Sequence, residues 1–491
     1  MRKRILGALA LLALGATTVL SCGGDDGTSD AVAGSRPNIV FILTDDQTYE
    51  SLRVMAQTQA LLADQGTTFS NAIISYPLCC PSRATLLTGQ YAHNHGVLEN
   101  VPPNGGVGAL DAGETLAVWL QRAGYATSHV GKYLNGYGQV SPPTVPPGWT
   151  HWFGLQDPST YGYLAYDVSI EGTLQHFEGE ANYQTDVLTD RAVAEIDRLG
   201  EDTDTPFFLN VWYTAPHGGR DLAVPSVGAP VVAPRHRGTA ADEVLPPNPA
   251  RNEPDVSDKP ATIRALPELP LSNARGAQRT YQAQLEALQA VDEGVGRIVD
   301  RLDAVGALDD TVIVFMSDNG LMLGEHRLLF QKTVPYEESI HVPMIIRGGG
   351  FPAGTEVSEL VSNIDFAPTL LELAGADAGL EMDGRSLLPL AEGSSSTADR
   401  PILIENGPGN RLVAHYEGVR TRRYTYVEYE TGERELYDLV TDPIQADNLA
   451  GRPAMAEVEA QLSQLVAQLE GCRGISCQVE APTFRAPDDG N

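Results

Sequence analysis

Cys79 opens the run Cys79-Cys80-Pro81-Ser82-Arg83-Ala84-Thr85-Leu86-Leu87-Thr88-Gly89. A thiol, a proline, a hydroxyl and a guanidinium stand close together at the mouth of an expected helix that starts near Pro81. Arg83 falls one turn in, and its fork of donors suits an oxyanion. A helix N-terminus adds its own positive end to such a site. Two further pairs carry oxygen donors. Asp45-Asp46 follows the apolar run Pro37–Leu43, and Ser317-Asp318-Asn319-Gly320 follows the apolar run Thr311–Met316. In open α/β sheets, ligands bind at the carboxyl ends of strands. Asp45, Asp46, Asp318 and Asn319 then share one edge, and four oxygen-bearing side chains suit a hard cation such as calcium or magnesium. Each pair alone reads as a turn or a helix cap. Both at strand ends, beside the Cys79 run, read as a metal centre.

The elements that must position these residues alternate along the chain. Pro37–Leu43, Ala126–Val130, Pro206–Tyr213, Thr311–Met316 and Val342–Ile346 are short apolar runs suited to strands buried on both faces. Leu52–Gln65, Tyr183–Leu199 and Gln278–Val305 have helical periodicity. The alternation predicts an α/β domain over 36–395, with a large, mainly parallel sheet between helices. Val140–Gly148 and Val224–Pro270 are rich in proline and glycine and are expected to be long surface loops that act as lids or walls. Gly393–Thr397 reads as a linker. Beyond it, Leu412–Tyr429 alternates like antiparallel strands and Met455–Leu469 like a helix, which predicts a smaller α+β domain over 396–491.

A length of 491 residues allows one large domain and a smaller one. The net charge of −31 argues against nucleic acid and anionic membrane surfaces as partners. It also requires local cations wherever an anion is to be bound. There are only four lysines, Lys3, Lys132, Lys259 and Lys332, and Lys132 and Lys332 fall in candidate site motifs. At the N-terminus, Met1-Arg2-Lys3-Arg4 precedes the apolar stretch Ile5–Leu20 and then Ser21-Cys22-Gly23-Gly24, the pattern of a secretory signal over 1–21. Val19-Leu20-Ser21-Cys22 resembles a bacterial lipobox with Cys22 as the lipidated mature N-terminus. Ordinary cleavage after a small residue is the alternative, and the flexible acidic stretch Gly23–Gly34 favours a lipoprotein tether over 22–35. The chain is then exported and touches the membrane only through that anchor, at the outer membrane, in the periplasm or on the cell surface. Cys472 and Cys477 are expected either to close a small disulfide or to remain free thiols. Cys80 is expected to be buried.

The Cys79 run fits C-x-P-S-R-x-x-L-x-T-G and resembles the signature of the type I sulfatases of the alkaline phosphatase superfamily. One residue must separate the modified cysteine from the proline, which selects Cys79. The resemblance implies that Cys79 is oxidised to formylglycine by a formylglycine-generating enzyme. It implies that Asp45, Asp46, Asp318 and Asn319 hold calcium together with residue 79. It also matches Lys132 (in Gly131-Lys132-Tyr133-Leu134-Asn135) and Lys332 to sulfate-binding lysines, and His217 to a histidine that binds sulfate or protonates the leaving oxygen, with Lys332 as the alternative proton donor. The Cys-Cys-Pro-Ser-Arg and Gly-Lys-Tyr-Leu-Asn segments resemble the N-acetylglucosamine-6-sulfatase branch. Tyr336–Ser339, Asn363–Asp365, Met382–Leu387 and Glu435–Asp438 look like further landmarks of the family. One departure stands out: many arylsulfatases carry a histidine base where this chain has Leu134. The base is therefore unassigned, with His93, His95, His129 and His326 as candidates.

What the resemblance implies is sulfate ester hydrolysis on sulfated glycans. One hydroxyl of the hydrated aldehyde attacks sulfur, and the second later lets the site expel sulfate, which a serine or thiolate could not do. Two other readings remain open at this point. One is a phosphodiesterase or phosphonate monoester hydrolase of the same superfamily. The other is a catalytically silent glycan-binding lipoprotein.

Overall fold

The computed structural model describes residues 36–139, 143–219, 228–393, 400–407 and 413–484. The signal peptide, the tether with Cys22 and the 395/396 boundary lie outside the described residues. The first apolar run becomes β1 (Asn38–Thr44), buried at every position after Asn38. Its side chains alternate between two cores, with Ile39, Phe41 and Leu43 in one and Val40 and Ile42 in the other. A run without polar alternation is what a strand covered on both faces requires.

Nine further strands join β1 in one sheet: β2 (Thr67–Phe69), β3 (Ala126–Gly131), β4 (His151–Leu155), β5 (Ala165–Ile170), β6 (Thr173–Glu178), β7 (Phe207–Trp212), β8 (Thr311–Ser317), β9 (Met344–Arg347) and β10 (Thr355–Val357). Their spatial order is β10-β2-β9-β8-β1-β7-β3-β4-β5-β6. The centre, β8-β1-β7-β3-β4, is parallel. Antiparallel pairs flank it on both sides, so the sheet is mixed around the expected parallel core. The β5–β6 hairpin was not expected from the sequence. Its turn, Glu171-Gly172, has φ of 49° and 83° at the two residues, the hand that matches strand twist.

The principal helices are α1 (Cys79–Thr88), α2 (Leu116–Arg122), α3 (Gln184–Leu199), α4 (Leu271–Ala304), α5 (Phe366–Ala374) and α6 (Ala456–Leu469). Helices α3 and α4 pack on one face of the sheet, and α2 and α5 on the other. The helix expected over Leu52–Gln65 is instead broken into a 3-10 turn at Tyr49–Val54, one α turn at Ala56–Thr58 and a π turn at Gln59–Ala63. The cause is Asp292 of α4, which accepts hydrogen bonds from the main-chain N–H groups of Gln57 (2.9 Å) and Thr58 (2.7 Å) and so starts a new turn there. The expected loop over Val224–Pro270 does end at Pro270, and α4 starts directly after it.

Strands β11 (Ile402–Glu405), β12 (Tyr416–Arg420), β13 (Tyr424–Tyr429) and β14 (Arg434–Asp438) form a separate antiparallel sheet. With α6 it forms the smaller α+β part expected from the sequence, and its core is shared with the large sheet's side of the chain through Ile73, Tyr91, Tyr336 and Ile364. Among the described residues, no helix is long and apolar enough to cross a membrane.

Candidate active site

Register places the carboxylates. Strands β1 and β8 pair in parallel from Asn38↔Thr311 to Thr44↔Ser317, so Asp45 and Asp318 leave the sheet side by side. Asp46 takes the left-handed conformation at φ 63°, which aspartate tolerates better than most residues. Its N–H reaches Asp318 Oδ1 at 3.4 Å, and Asn319 Nδ2 donates to Asp46 Oδ1 at 2.6 Å. Lys132 enters from β3, which ends beside β7. Gly131 there has φ 118°, and a Cβ would lie 2.0 Å from Trp212 O, so only glycine brings the two strand ends this close. Lys132 N then donates to Trp212 O at 2.9 Å, and its ammonium pairs with Asp45 Oδ2.

Helix α1 begins at Cys79, and all ten of its residues are buried. Cys79 Sγ lies 3.4 Å from Asp45 Oδ1 and 2.9 Å from Lys332 Nζ. Lys332 also pairs with Asp46 Oδ1. One turn on, Arg83 donates from Nε to Asp318 Oδ2 (2.8 Å), from Nη2 to Asp45 Oδ2 (3.3 Å) and from Nη1 to Lys132 O (2.7 Å). Its guanidinium carbon sits 5.3 Å from the centre of a Trp212 ring. The fork that the sequence offers to an oxyanion is directed here at two carboxylates and a carbonyl.

Burial pushes the Asp45 carboxyl up, yet Lys132, His217, Arg83 and Lys332 together bring it well below the usual carboxylate range. Asp318 moves the other way, raised by burial and by the Asp45 charge. Burial and Asp45 push the Cys79 thiol up to about 12, so the unmodified residue is a neutral thiol at physiological pH. Burial works against the Lys132 and Lys332 ammoniums, but Asp45, Cys79 and Tyr161 around the first, and Asp46, Cys79, Asp45 and Asp318 around the second, together more than offset it.

Ligand atoms of Asp45, Asp46, Cys79 and His217 lie within 4.8 Å of one another, a group able to hold a metal ion. Asp318 joins them through Arg83 and Asp46, and Asn319 through Asp46. Asn319 Oδ1 is buried without a protein partner, as expected of an oxygen reserved for a ligand. The donors are mostly oxygen, the chemistry of a hard cation. His217 Nε2 lies 3.6 Å from Asp46 Oδ2, and Nδ1 lies 2.8 Å from Gly218 O. A carbonyl only accepts, so Nδ1 carries its hydrogen and Nε2 is the nitrogen that faces the site. The His217 side chain is 23% exposed and Lys332 14%, while those of Arg83 and Asp318 are fully buried. The mouth of the site is therefore at His217 and Lys332.

The structure thus gathers Asp45, Asp46, Cys79, Arg83, Lys132, His217, Asp318, Asn319 and Lys332 into one site. The four histidines considered as bases are engaged elsewhere. His93 pairs with Glu405 (3.0 Å), His95 with Thr85 (3.0 Å) and His326 with Glu253 (2.9 Å), while His129 stacks on Trp152. Leu134 is buried in the core beside Tyr133 and Tyr137. Cys80 is a buried free thiol whose N–H donates to Asn100 Oδ1 at 2.9 Å. Cys472 and Cys477 are joined in a disulfide. Sequence reasoning did not point to Tyr161. Its ring lies 4.4 Å from that of His217 and 4.9 Å from Lys132 Nζ, a contact between loops that no local pattern announces.

Comparison with known proteins gives this constellation its context. A family model described as Sulfatase matches residues 37–376, and one described as N-sulphoglucosamine sulphohydrolase, C-terminal, matches 324–471. An arylsulfatase of Volvox carteri is 33% identical over 97% of this chain and 79% of its own length. The N-acetylglucosamine-6-sulfatase of Homo sapiens is 31% identical over 94% of this chain and 90% of its own. A structure solved in complex with its substrate, D-glucosamine-2-N,6-O-disulfate, superposes with a TM-score of 0.75 at 26% identity, covering 88% of this chain and 97% of that one. The chain therefore belongs to the sulfatase family and is a sulfuric ester hydrolase.

Proposed function

We propose that the chain removes sulfate from glycans of the N-acetylglucosamine 6-sulfate type, with formylglycine formed from Cys79 and a calcium ion held by Asp45, Asp46, Asp318, Asn319 and residue 79. The observation that carries this reading is the place of Cys79, between the Asp45 carboxylate and the Lys332 ammonium and at the start of a buried helix. A relative named for N-acetylglucosamine 6-sulfate and a structural neighbour whose substrate carries a 6-O-sulfate support the substrate class. When bound, the ion would cancel substrate charge and polarise a sulfate oxygen, while the hydrated aldehyde would supply the attacking hydroxyl.

The remaining chemistry belongs to the chain's own side chains. Lys132 and Lys332 place two fixed positive charges beside residue 79, where sulfate oxygens gain charge in the transition state. Arg83 fixes Asp45 and Asp318, two of the residues that would hold the ion. His217, at the mouth, donates the proton on Nε2 to the leaving oxygen. Because the net charge of −31 repels sulfated glycans at long range, these local cations are what make binding possible. The N-terminal signal and Cys22 make the chain an exported lipoprotein, with modification of Cys79 preceding folding.

Mass spectrometry of the peptide spanning Cys79, from protein made in its native host, tests the reading together with turnover of paired sulfate and phosphate esters. An aldehyde at position 79 and preference for the sulfate ester are expected. An unmodified thiol, or preference for the phosphate ester, would overturn it.

A further inference from the structure

We propose that Tyr161 is a positioning residue that sets the imidazole of His217 for proton delivery, an inference that rests on the sulfatase reading above. His217 follows β7 by several residues and lies on a loop, so its ring needs support from outside its own strand. The segment between β4 and β5 supplies that support twice. Tyr163 Oη donates to the main-chain carbonyl of His217 at 2.7 Å, fixing the backbone. Two residues earlier, the Tyr161 ring lies against the imidazole with centroids 4.4 Å apart and planes 30° apart, fixing the side chain. Asn135 Nδ2 donates to Tyr161 Oη at 2.9 Å and braces the phenol from the far side. The same ring lies 4.9 Å from Lys132 Nζ.

These contacts distinguish Tyr161 from a core aromatic. Its ring meets the two polar heads that face the reacting group, and it does so at the partly exposed mouth. In the proposed step, a hydroxyl on residue 79 would form the new bond to sulfur as the bond from sulfur to the leaving oxygen breaks. The electron pair stays on that oxygen, and the proton on His217 Nε2 moves to it. Tyr161 touches neither bond. It limits the angles from which Nε2 approaches, while the Gly218 carbonyl keeps Nδ1 protonated.

The dependence on leaving group tests this. A sugar 6-sulfate releases a poor alkoxide and needs the proton, whereas 4-nitrophenyl sulfate releases a stable phenolate and needs it little. Tyr161→Leu should lower kcat/KM on the sugar sulfate roughly ten- to hundredfold and on the aryl sulfate by less than about threefold. Tyr161→Phe, which keeps the ring, should stay within about threefold of wild type on both. Added to His217→Ala, Tyr161→Leu should cause no further loss on the sugar sulfate. Equal losses on both substrates, no loss on either, or an undiminished loss in the His217→Ala background would overturn the proposal. Tyr161→Met carries the same expectations should the leucine variant not fold. Wild-type protein carrying the aldehyde yet inactive on both substrates would sink the sulfatase reading itself, and this inference with it.

Discussion

Lysines are buried among carboxylates in two regions of this molecule, and the two regions use them differently. At the strand ends, Lys132 pairs with Asp45, and Lys332 with Asp46 and Cys79, so each ammonium is held by groups that themselves titrate or react. In the segment before α4, Lys259 is also fully buried, but it donates to the main-chain carbonyl of Ala446 at 2.7 Å and to Asp258 at 3.1 Å, under the ring of Tyr437. That second lysine ties the expected surface loop to the C-terminal part of the chain. Burial of charge therefore does not by itself mark a site. The mark is a cation whose partners are other reactive side chains, with a partly exposed opening beside them, as His217 and Lys332 provide.

The comparison breaks most decisively at Cys79. Cys79→Ala removes the residue proposed to carry the nucleophile, so sulfate ester turnover should fall by more than about a thousandfold. The fold should be little affected, with a thermal midpoint within about 3 °C of wild type, because only one small side chain is lost from a large core. Retained turnover would show that the cluster is, like the Lys259 joint, an element of architecture.

Lys259→Met makes the opposite test. It leaves the carboxylates of Asp258 and Glu253 without their cation, and should cost about 2–3 kcal/mol in urea unfolding. That is below the cost of breaking a fully buried pair, because the Asp258 side chain is 33% exposed. Turnover per folded molecule should not change. A kinetic defect at unchanged stability would mean that the segment before α4 acts on substrate and that the two regions are not separate in role.

How far these regions were legible in the sequence follows from what each depends on. The strand-end carboxylates were legible because an apolar run and the polar pair after it lie in one local stretch, and strand register does the rest. Cys79 and Arg83 were legible for the same reason, being one helical turn apart. The place of Lys259 was not, since its partner Ala446 lies far along the chain and neither residue carries a pattern. Tyr161 was hidden likewise, because its contacts with His217 and Lys132 depend on how three loops meet at one sheet edge. The break in the Leu52–Gln65 segment has a distant cause too, in the Asp292 side chain of α4. The β5–β6 hairpin is a different case. Alternation was present in Ala165–Ile170, but Glu171-Gly172 is a weaker turn signal than Asn-Gly or Asp-Gly.

The smallest expected effect lies at a third charged contact, between α1's neighbour His93 and the C-terminal sheet, and it is read through pH. His93 Nδ1 lies 3.0 Å from Glu405 Oε2 and Nε2 lies 3.0 Å from Cys472 O, so the doubly protonated ring satisfies both acceptors. Burial pulls its pKa down, but Glu405 outweighs that and the group is pushed up to about 9. Asp383, Glu417 and His95 also face it. A folded pKa above the unfolded value of about 6.5 gives stability that is complete below pH 6.5 and is lost as pH rises through about 9. The loss should be about 1–3 kcal/mol over that window. Glu417, pushed up to about 7 by burial and by Glu470, adds a loss of the same sign at lower pH, beginning near its unfolded value and ending near 7. His93→Gln should therefore flatten the stability profile above pH 7 and leave the part below it intact. Urea unfolding followed from pH 5 to 9.5 in both proteins makes the measurement. Parallel profiles would mean that this joint is held by shape and not by charge, unlike the strand-end cluster, where Lys132 and Lys332 pair with buried carboxylates.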